Sequence, residues 1–150
     1  MTEFTLREDF EGAAPAGTDE TAGLQPALNE ARQRARYAQL MVIRQGLVAR
    51  QQRGRFFKSN LFADPAWDML LELYSASLAE RRLTVSRLAE RSGVPLTTAL
   101  RWIAVLEKDG LIDRTNDRFD RRRMFLELSE KGRCGMIAFF DELHPDTKIL

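Results

Sequence analysis

The order of elements predicted between residues 83 and 132 indicates an all-α fold with a small β-hairpin, a winged helix-turn-helix flanked by long N-terminal and C-terminal dimerisation helices. LTVSRLAERSG reads as a short helix ended by glycine, VPLTTALRWIAVLEKDG as a second, amphipathic helix, and LIDRTNDRFDRRRMFLELSEKG as a basic hairpin entering another helix. In this arrangement the second helix fits a major groove and the hairpin tip reaches phosphates or the adjacent minor groove. The element order therefore predicts a DNA-binding module.

The charge distribution agrees with a polyanionic partner. The 150-residue chain has a net charge of only +1, but residues 1–30 hold seven acids and one arginine, a balance of −6. Residues 31–150 carry 22 basic and 15 acidic residues, a balance of +7. Clustered arginines displace the counterions condensed on nucleic-acid phosphates, so the basic body favours double-stranded DNA as partner.

The chain contains few cysteine and histidine residues, which often serve in catalysis and metal binding. Cys134 is the only cysteine and His144 the only histidine, so a disulfide or a thiolate zinc cluster cannot form within one chain. We expect no enzyme activity, no cofactor and no metal, and we interpret Cys134 as structural because a thiol sensor needs a resolving partner. The N-terminal residues lack a signal-peptide pattern and no segment has the length of a membrane span, so we expect a cytoplasmic protein.

The N-terminal part is predicted to be a tail followed by a long helix. Residues 1–23 are acidic, rich in Gly, Ala, Thr and Pro, and without periodicity, which predicts a disordered tail. A helix is predicted from Pro26 to about Gln52. Its apolar stripe is predicted to consist of Leu28, Ala31, Ala35, Ala38, Met41, Val42, Gln45 and Val48. The arginines between these positions are interpreted as a solvated face, with phosphate contact as the alternative.

Capping residues mark the other helices. Asp64 and Pro65 predict the start of a second helix that ends near Glu80, Thr84 predicts the cap of a third over residues 85–92, and Ser129 predicts the cap of a last one. Gly93 supplies the turn before the fourth helix, predicted from Pro95 to about Asp109, and Gly110 ends it. The aromatic residues of the first two helices and their linker are predicted either to form core or to line the site of an unidentified small-molecule effector: Phe56, Phe57, Phe62, Trp67 and Tyr74.

The fourth helix has one apolar face and one polar face. Ala99, Trp102, Ile103 and Leu106 share a face by helical spacing and are predicted to be core. The outward positions at the N-terminal half are the predicted DNA-reading positions: Thr97, Thr98, Leu100 and Arg101.

The hairpin carries the densest cluster of arginines. Strands are predicted over residues 111–115 and 122–128 with a turn at 116–120, and Met124, Leu126 and Leu128 are predicted to face inward. A solvated turn is one interpretation of the cluster, but its place after a recognition-like helix favours DNA contact. The arginines concerned are Arg118, Arg121, Arg122 and Arg123.

The segments LEKDGLI, DRRRMFLELSEKG and the helices before them resemble the MarR-type family of winged-helix transcriptional regulators. The resemblance covers about residues 26–144, within a predicted domain of residues 24–150 and a winged-helix core of about 64–129. It implies a homodimer with two recognition helices in successive major grooves. It also implies that Arg122 enters the minor groove and that Asp120 braces the wing.

The most direct functional hypothesis is a transcriptional regulator, more readily a repressor, that binds a palindromic operator as a homodimer. The alternative is a winged helix that has become a protein-interaction or dimerisation module without an operator. The two differ in salt dependence, because DNA binding weakens steeply with added salt.

Overall fold

The computed structural model describes residues 20–57, 63–120 and 122–143, which form five helices and a three-stranded sheet. In chain order the elements are α1 (Glu20–Phe56), α2 (Pro65–Leu78), β1 (Leu83–Thr84), α3 (Val85–Arg91), α4 (Leu96–Lys108), β2 (Ile112–Asn116), β3 (Met124–Leu128) and α5 (Glu130–Glu142). The chain divides into two compact units, residues 1–33 and 34–150. The second unit contains the predicted winged helix. No helix among the described residues is both long enough and apolar enough to cross a bilayer.

The helix caps lie where the sequence predicts them. The side chain of Asp64 accepts a hydrogen bond from the Trp67 amide at 3.3 Å, and that of Thr84 accepts one from the Arg87 amide at 3.4 Å. Gly93 and Gly110 adopt φ angles of +67° and +70°, which a glycine reaches without steric cost. The predicted ends of α3 and α4 are therefore confirmed.

The first helix is longer than predicted at both ends. It begins at Glu20 instead of Pro26 and passes Gly54 to end at Phe56. A proline inside a helix removes one hydrogen bond, and a glycine costs about 1 kcal/mol relative to alanine. Gly54 does not end the helix, because the backbone hydrogen bonds continue past it and the Phe57 amide donates to the Arg53 carbonyl at 2.9 Å. Most of the predicted tail, residues 1–19, lies outside the described residues.

The wing is a three-stranded antiparallel sheet in the order β1-β3-β2. Leu83 pairs with Leu126, Ile112 with Leu128, and Asn116 with Met124. The last strand begins at Met124, later than predicted, because the Arg123 amide donates to the Asp120 carbonyl at 2.9 Å and so belongs to the turn. Met124, predicted to face inward, is exposed at the end of the strand next to this turn.

The main core joins the helix-turn-helix to the sheet. Its buried members are Met69, Leu73, Ala76, Leu83, Leu88, Ala89, Ala99, Ile103, Leu106, Ile112 and Leu126. Three of the four predicted core positions of α4 are thus fully buried. Trp102 is only half-buried at the edge of this cluster. It contacts the core as predicted, but it is not fully buried in it.

A second core packs α1 against α2 and α5. It contains Ile43, Leu47, Leu71, Tyr74 and Met136, and the Tyr74 ring stacks on Phe140 at 5.4 Å. All members of the apolar stripe predicted for α1 are exposed, and the opposite side of the helix is buried. Two apolar stripes run along α1, and only one can face α2.

Candidate nucleic-acid interface

The turn between α3 and α4 orients α4 on the protein. The Gly93 amide donates to the Glu90 carbonyl and the Val94 amide to the Ala89 carbonyl, each at 3.2 Å, so the chain reverses tightly. Ala99 and Ile103 are fully buried on one face of α4. The opposite face is therefore directed away from the core.

The predicted DNA-reading positions lie on or beside this outward face. Thr97, Leu100 and Arg101 are exposed, and Thr98 is half-buried. The Arg101 guanidinium lies 5.8 Å from the centroid of the Trp102 ring. Leu96 is exposed as well and extends the apolar part of the face toward the start of the helix.

Two aspartates shape the tip of the wing. Asp120 Oδ1 accepts a hydrogen bond from the Arg122 amide at 3.0 Å, and Asp117 Oδ1 accepts one from the Phe119 amide at 2.8 Å. Such side-chain turns fix the backbone of a short loop. Arg118 and Arg123 are exposed in the same tip, and Arg121 lies outside the described residues.

Phe119 is a feature that the sequence interpretation missed. Its side chain is 99% exposed at the wing tip. An apolar residue between the turn-forming residues of DRFD was the available signal, because such a position has no core to enter.

Three arginines close to the helix-turn-helix have acidic partners, whereas the described ones of α4 and the wing tip do not. Arg82 pairs with Glu127 and Arg91 with Glu72, each at 2.5 Å, and Arg87 pairs with Glu90 at 2.8 Å. Within the described part of the chain, no acid pairs with the interface arginines: Arg101, Arg118, Arg122 and Arg123. Their positive charge is therefore available to an external anion.

One family model matches part of the chain. Residues 62–123 match the sequence profile of the MarR family, and this match covers less than half of the chain. None of the curated protein sequences compared with the chain matches it.

Several solved structures are similar to this chain. A mutant of Lactococcus lactis ZitR is 19% identical over 51% of this chain and 49% of its own, with a TM-score of 0.42. The S. aureus MepR–DNA complex is 26% identical over 53% and 64%, with a TM-score of 0.45. A probable transcriptional regulator from Pseudomonas aeruginosa is 23% identical over 65% and 69%, with a TM-score of 0.46. The chain thus spans about half the length of the ZitR structure.

The base of the wing is tied to α4. Arg114 of β2 donates from Nη2 to Glu107 Oε2 of α4 at 2.9 Å, and this hydrogen bond raises the pKa of Arg114. Arg82 lies over the Phe125 ring at 4.3 Å and also bonds to Thr115. These contacts fix the direction in which the hairpin leaves the recognition helix.

The start of α5 is fastened to the end of α4 at one point, which we call the clasp. Ser129 accepts from the Gly132 amide at 3.0 Å and donates from Oγ to the Gly110 carbonyl at 2.6 Å, and Lys131 Nζ donates to the Asp109 carbonyl at 2.8 Å. A Cβ on Gly132 would lie 2.1 Å from the Leu111 oxygen. The segments LEKDGLI and LSEKG, which carry the resemblance, therefore meet each other.

Other predicted ligand features are dispersed. Trp67 packs edge-on against Phe139 at 4.8 Å and Tyr74 is core, whereas Phe56 and Phe57 are exposed and Phe62 lies outside the described residues. The aromatic set is therefore not one pocket. Cys134 is exposed and lies 3.5 Å from Glu130. Among the described residues, no group of three or more His, Cys, Asp or Glu side chains could hold a metal ion.

Proposed function

We propose that this chain is a transcriptional regulator that binds double-stranded DNA, with α4 in the major groove and the wing at the adjacent minor groove. The observation that carries the proposal is a group of exposed arginines on α4 and the wing tip that, within the described part of the chain, pair with no acid: Arg101, Arg118, Arg122 and Arg123. A guanidinium without an acidic partner keeps its full charge for phosphates, and a narrow minor groove attracts it further. The MarR match and the structure of MepR with DNA support the same function.

We propose further that two copies bind a palindromic operator. The outward stripe of α1 leaves Tyr37 66% and Val48 52% exposed, together with Met41 and Val42. A second copy of α1 would cover this apolar face, and Phe139 of α5 lies partly exposed on the second helix predicted to dimerise. Two related subunits read two related half-sites, spaced by about 34–36 Å or a multiple of it. A dimer seated over these half-sites would obstruct polymerase, which is the basis for proposing repression.

The first test is selection of bound sequences from a random double-stranded DNA pool, followed by titration of the enriched site at several salt concentrations. We expect an enriched palindrome and an affinity that falls steeply with salt. In that assay Arg122→Ala should make the slope of log K against log salt shallower by up to about 2 for a dimer with two wings. Failure of the pool to enrich any sequence would contradict operator binding.

The matched control is Arg133→Ala, which removes the same charge from α5, where Arg133 pairs with Glu130 at 2.7 Å. This variant should keep the parent salt slope. Arg101→Ala should cost about 1–3 kcal/mol per half-site and relax preference at one base if Arg101 reads a base edge. Uniformly weaker binding with unchanged preference would assign Arg101 to phosphates instead.

An apolar patch on α4 favours the second candidate function, a protein-interaction module. Leu96 and Leu100 lie one turn apart and are 48% and 43% exposed. Leucine side chains at a major-groove surface contact thymine methyl groups, but they also suit the apolar groove of a protein. Binding that is insensitive to salt, and lost in Leu100→Ser but retained in Arg122→Ala, would support this second function.

A further inference from the structure

We propose that Phe119, at the tip of the wing, enters the minor groove of double-stranded DNA and wedges its ring into a base step beside the site that α4 reads. The inference rests on the proposed DNA-binding function and adds to it an uncharged contact and a kink in the duplex. The Phe119 side chain is 99% exposed, the highest value among the large apolar side chains of the described residues. A single exposed apolar side chain needs no explanation by itself, so its surroundings decide what it contacts.

The backbone around Phe119 is held in one shape. The Phe119 amide donates to Asp117 Oδ1 at 2.8 Å, and the Arg122 amide donates to Asp120 Oδ1 at 3.0 Å. The Asp117 amide donates to the Arg123 carbonyl at 3.0 Å, and the Arg123 amide donates to the Asp120 carbonyl at 2.9 Å, which closes the loop. A contact made from a fixed loop costs less ordering entropy than one made from a loose loop. The tip therefore presents the ring in a position prepared for binding.

The charges around Phe119 favour DNA over a protein as its partner. Arg118 and Arg122 lie on either side of it in sequence, both are exposed, and among the described residues no acid pairs with either. Residues 117–123 contain four arginines and two aspartates, a balance of +2. A narrow minor groove has a strong negative potential that attracts arginine, so the arginines bring the tip to the groove and the ring meets the base edges. An apolar protein groove would instead enclose two guanidinium groups that need acidic partners.

An exposed ring supplies a contact that the arginines cannot. A phenylalanine inserted from the minor groove partly unstacks a base step and kinks the duplex by about 20–90°. Unstacking costs least at pyrimidine–purine steps, which are TA and CA/TG, because these steps kink easily. Stacking of the ring on a base and removal of its apolar surface from water offset that cost. Phe119 therefore selects flexible base steps at the flanks of the operator.

Two measurements with the full chain and the DNA enriched from the random pool test the wedge. They are the affinity at several salt concentrations and the bend angle, obtained from energy transfer between dyes at the two ends of the duplex. Phe119→Ala should weaken binding by about tenfold or more and leave the slope of log K against log salt unchanged, because the ring carries no charge. The bend should decrease by at least about 20° in Phe119→Ala. Phe119→Leu keeps an apolar wedge and should retain most of the bend.

Phe56→Ala is the matched control, because this phenylalanine is 78% exposed but lies at the end of α1. It should keep the parent affinity and bend. The Phe119 ring buries almost nothing, so Phe119→Ala should melt at the parent temperature, which establishes that the variant folds. Selection with Phe119→Ala should recover the parent palindrome without enrichment of TA or CA/TG steps at its flanks.

The outcomes separate the wedge from the proposed function. If the parent binds its enriched site and Phe119→Ala binds with the same affinity and bend, the wedge is wrong and operator binding stands. Weaker binding of Phe119→Ala with an unchanged bend would place the ring on the surface of the groove and overturn insertion. A parent chain that enriches no DNA sequence would overturn operator binding and the wedge together.

Discussion

Replacing Gly132 with alanine should destabilise the protein, whereas the same replacement at Gly135, one turn further along α5, should stabilise it. A Cβ at position 132 would lie 2.1 Å from the Leu111 oxygen and 3.0 Å from its carbon, and these are backbone atoms that no side-chain rotation can move. The first turn of α5 would have to shift by about 1 Å. At Gly135 nothing lies within 4 Å of the added Cβ.

The magnitude follows from the clasp. Displacing α5 strains the core by about 1–3 kcal/mol and weakens the two Ser129 hydrogen bonds to Gly110 and Leu111, worth about 1 kcal/mol each. The higher helix propensity of alanine offsets about 1 kcal/mol of this destabilisation, so the free energy of unfolding should fall by about 2–4 kcal/mol. Gly135→Ala should raise it by about 0.5–1 kcal/mol.

Urea unfolding of both variants at one protein concentration checks the prediction, because association would otherwise alter the apparent stability. The two changes should have opposite signs. If the two variants differ by less than about 1 kcal/mol, close backbone contact is not the reason for glycine at position 132.

Three other perturbations address the second core, the dimer and the edge of the main core. Val48→Glu places a charge on the outward stripe of α1 and should convert the proposed dimer to a monomer in sedimentation. Ser86→Glu, at an exposed position of α3, should leave the dimer intact. A monomeric parent chain would contradict the proposed dimer. Burial raises the pKa of Glu72 above its usual 4.5, and the hydrogen bond from Arg91 opposes this shift only in part. The folded state therefore holds the proton more tightly than the unfolded state, so the stability that Glu72 contributes is present below pH 4.5 and is lost as pH rises above it. Urea titrations should accordingly show the stability of the parent falling relative to Glu72→Gln as pH rises from 4.5 to 7, and parallel curves would show that burial does not control this group. Trp102→Ala should cost about 1.5–3 kcal/mol in the same measurement, less than a fully buried tryptophan, and a cost above about 5 kcal/mol would mean that the ring is deeper than its half-buried position.

Local chemistry made the boundaries of α2 to α5 predictable, although not those of α1. Asp64, Thr84 and Ser129 cap helices through their own side chains, and Gly93 and Gly110 adopt the conformation that glycine favours. Each of these features depends on residues within a few positions of one another. For that reason the order of α2 to α5 and the place of the wing follow from the sequence.

The contacts between elements that are distant in sequence could not be predicted in this way. The sequence of α1 contains two apolar stripes, and the partner offered by α2 decides that Ile43 and Leu47 are buried while Met41 and Val48 are exposed. The approach of α3 to the end of α1 escaped prediction for the same reason, since the Gln51 side chain donates to the Arg91 carbonyl forty positions away in sequence. The functions of Arg101 and the wing arginines remain predictions from sequence to which the structure adds exposure and the lack of an acidic partner.

The clasp also determines how freely the wing can change during evolution. The Ser129 amide donates to the Leu111 carbonyl at 3.0 Å, so the two ends of the hairpin segment between these residues are held together. Within that segment Ile112 and Leu126 belong to the core, whereas the described residues of the tip, Arg118, Phe119, Asp120 and Arg122, are exposed. Lengthening a loop whose ends are already held together costs only a fraction of a kcal/mol for each added residue. The tip can therefore accept insertions or replacement sequences that alter what the protein contacts, while α4 and α5 keep their positions.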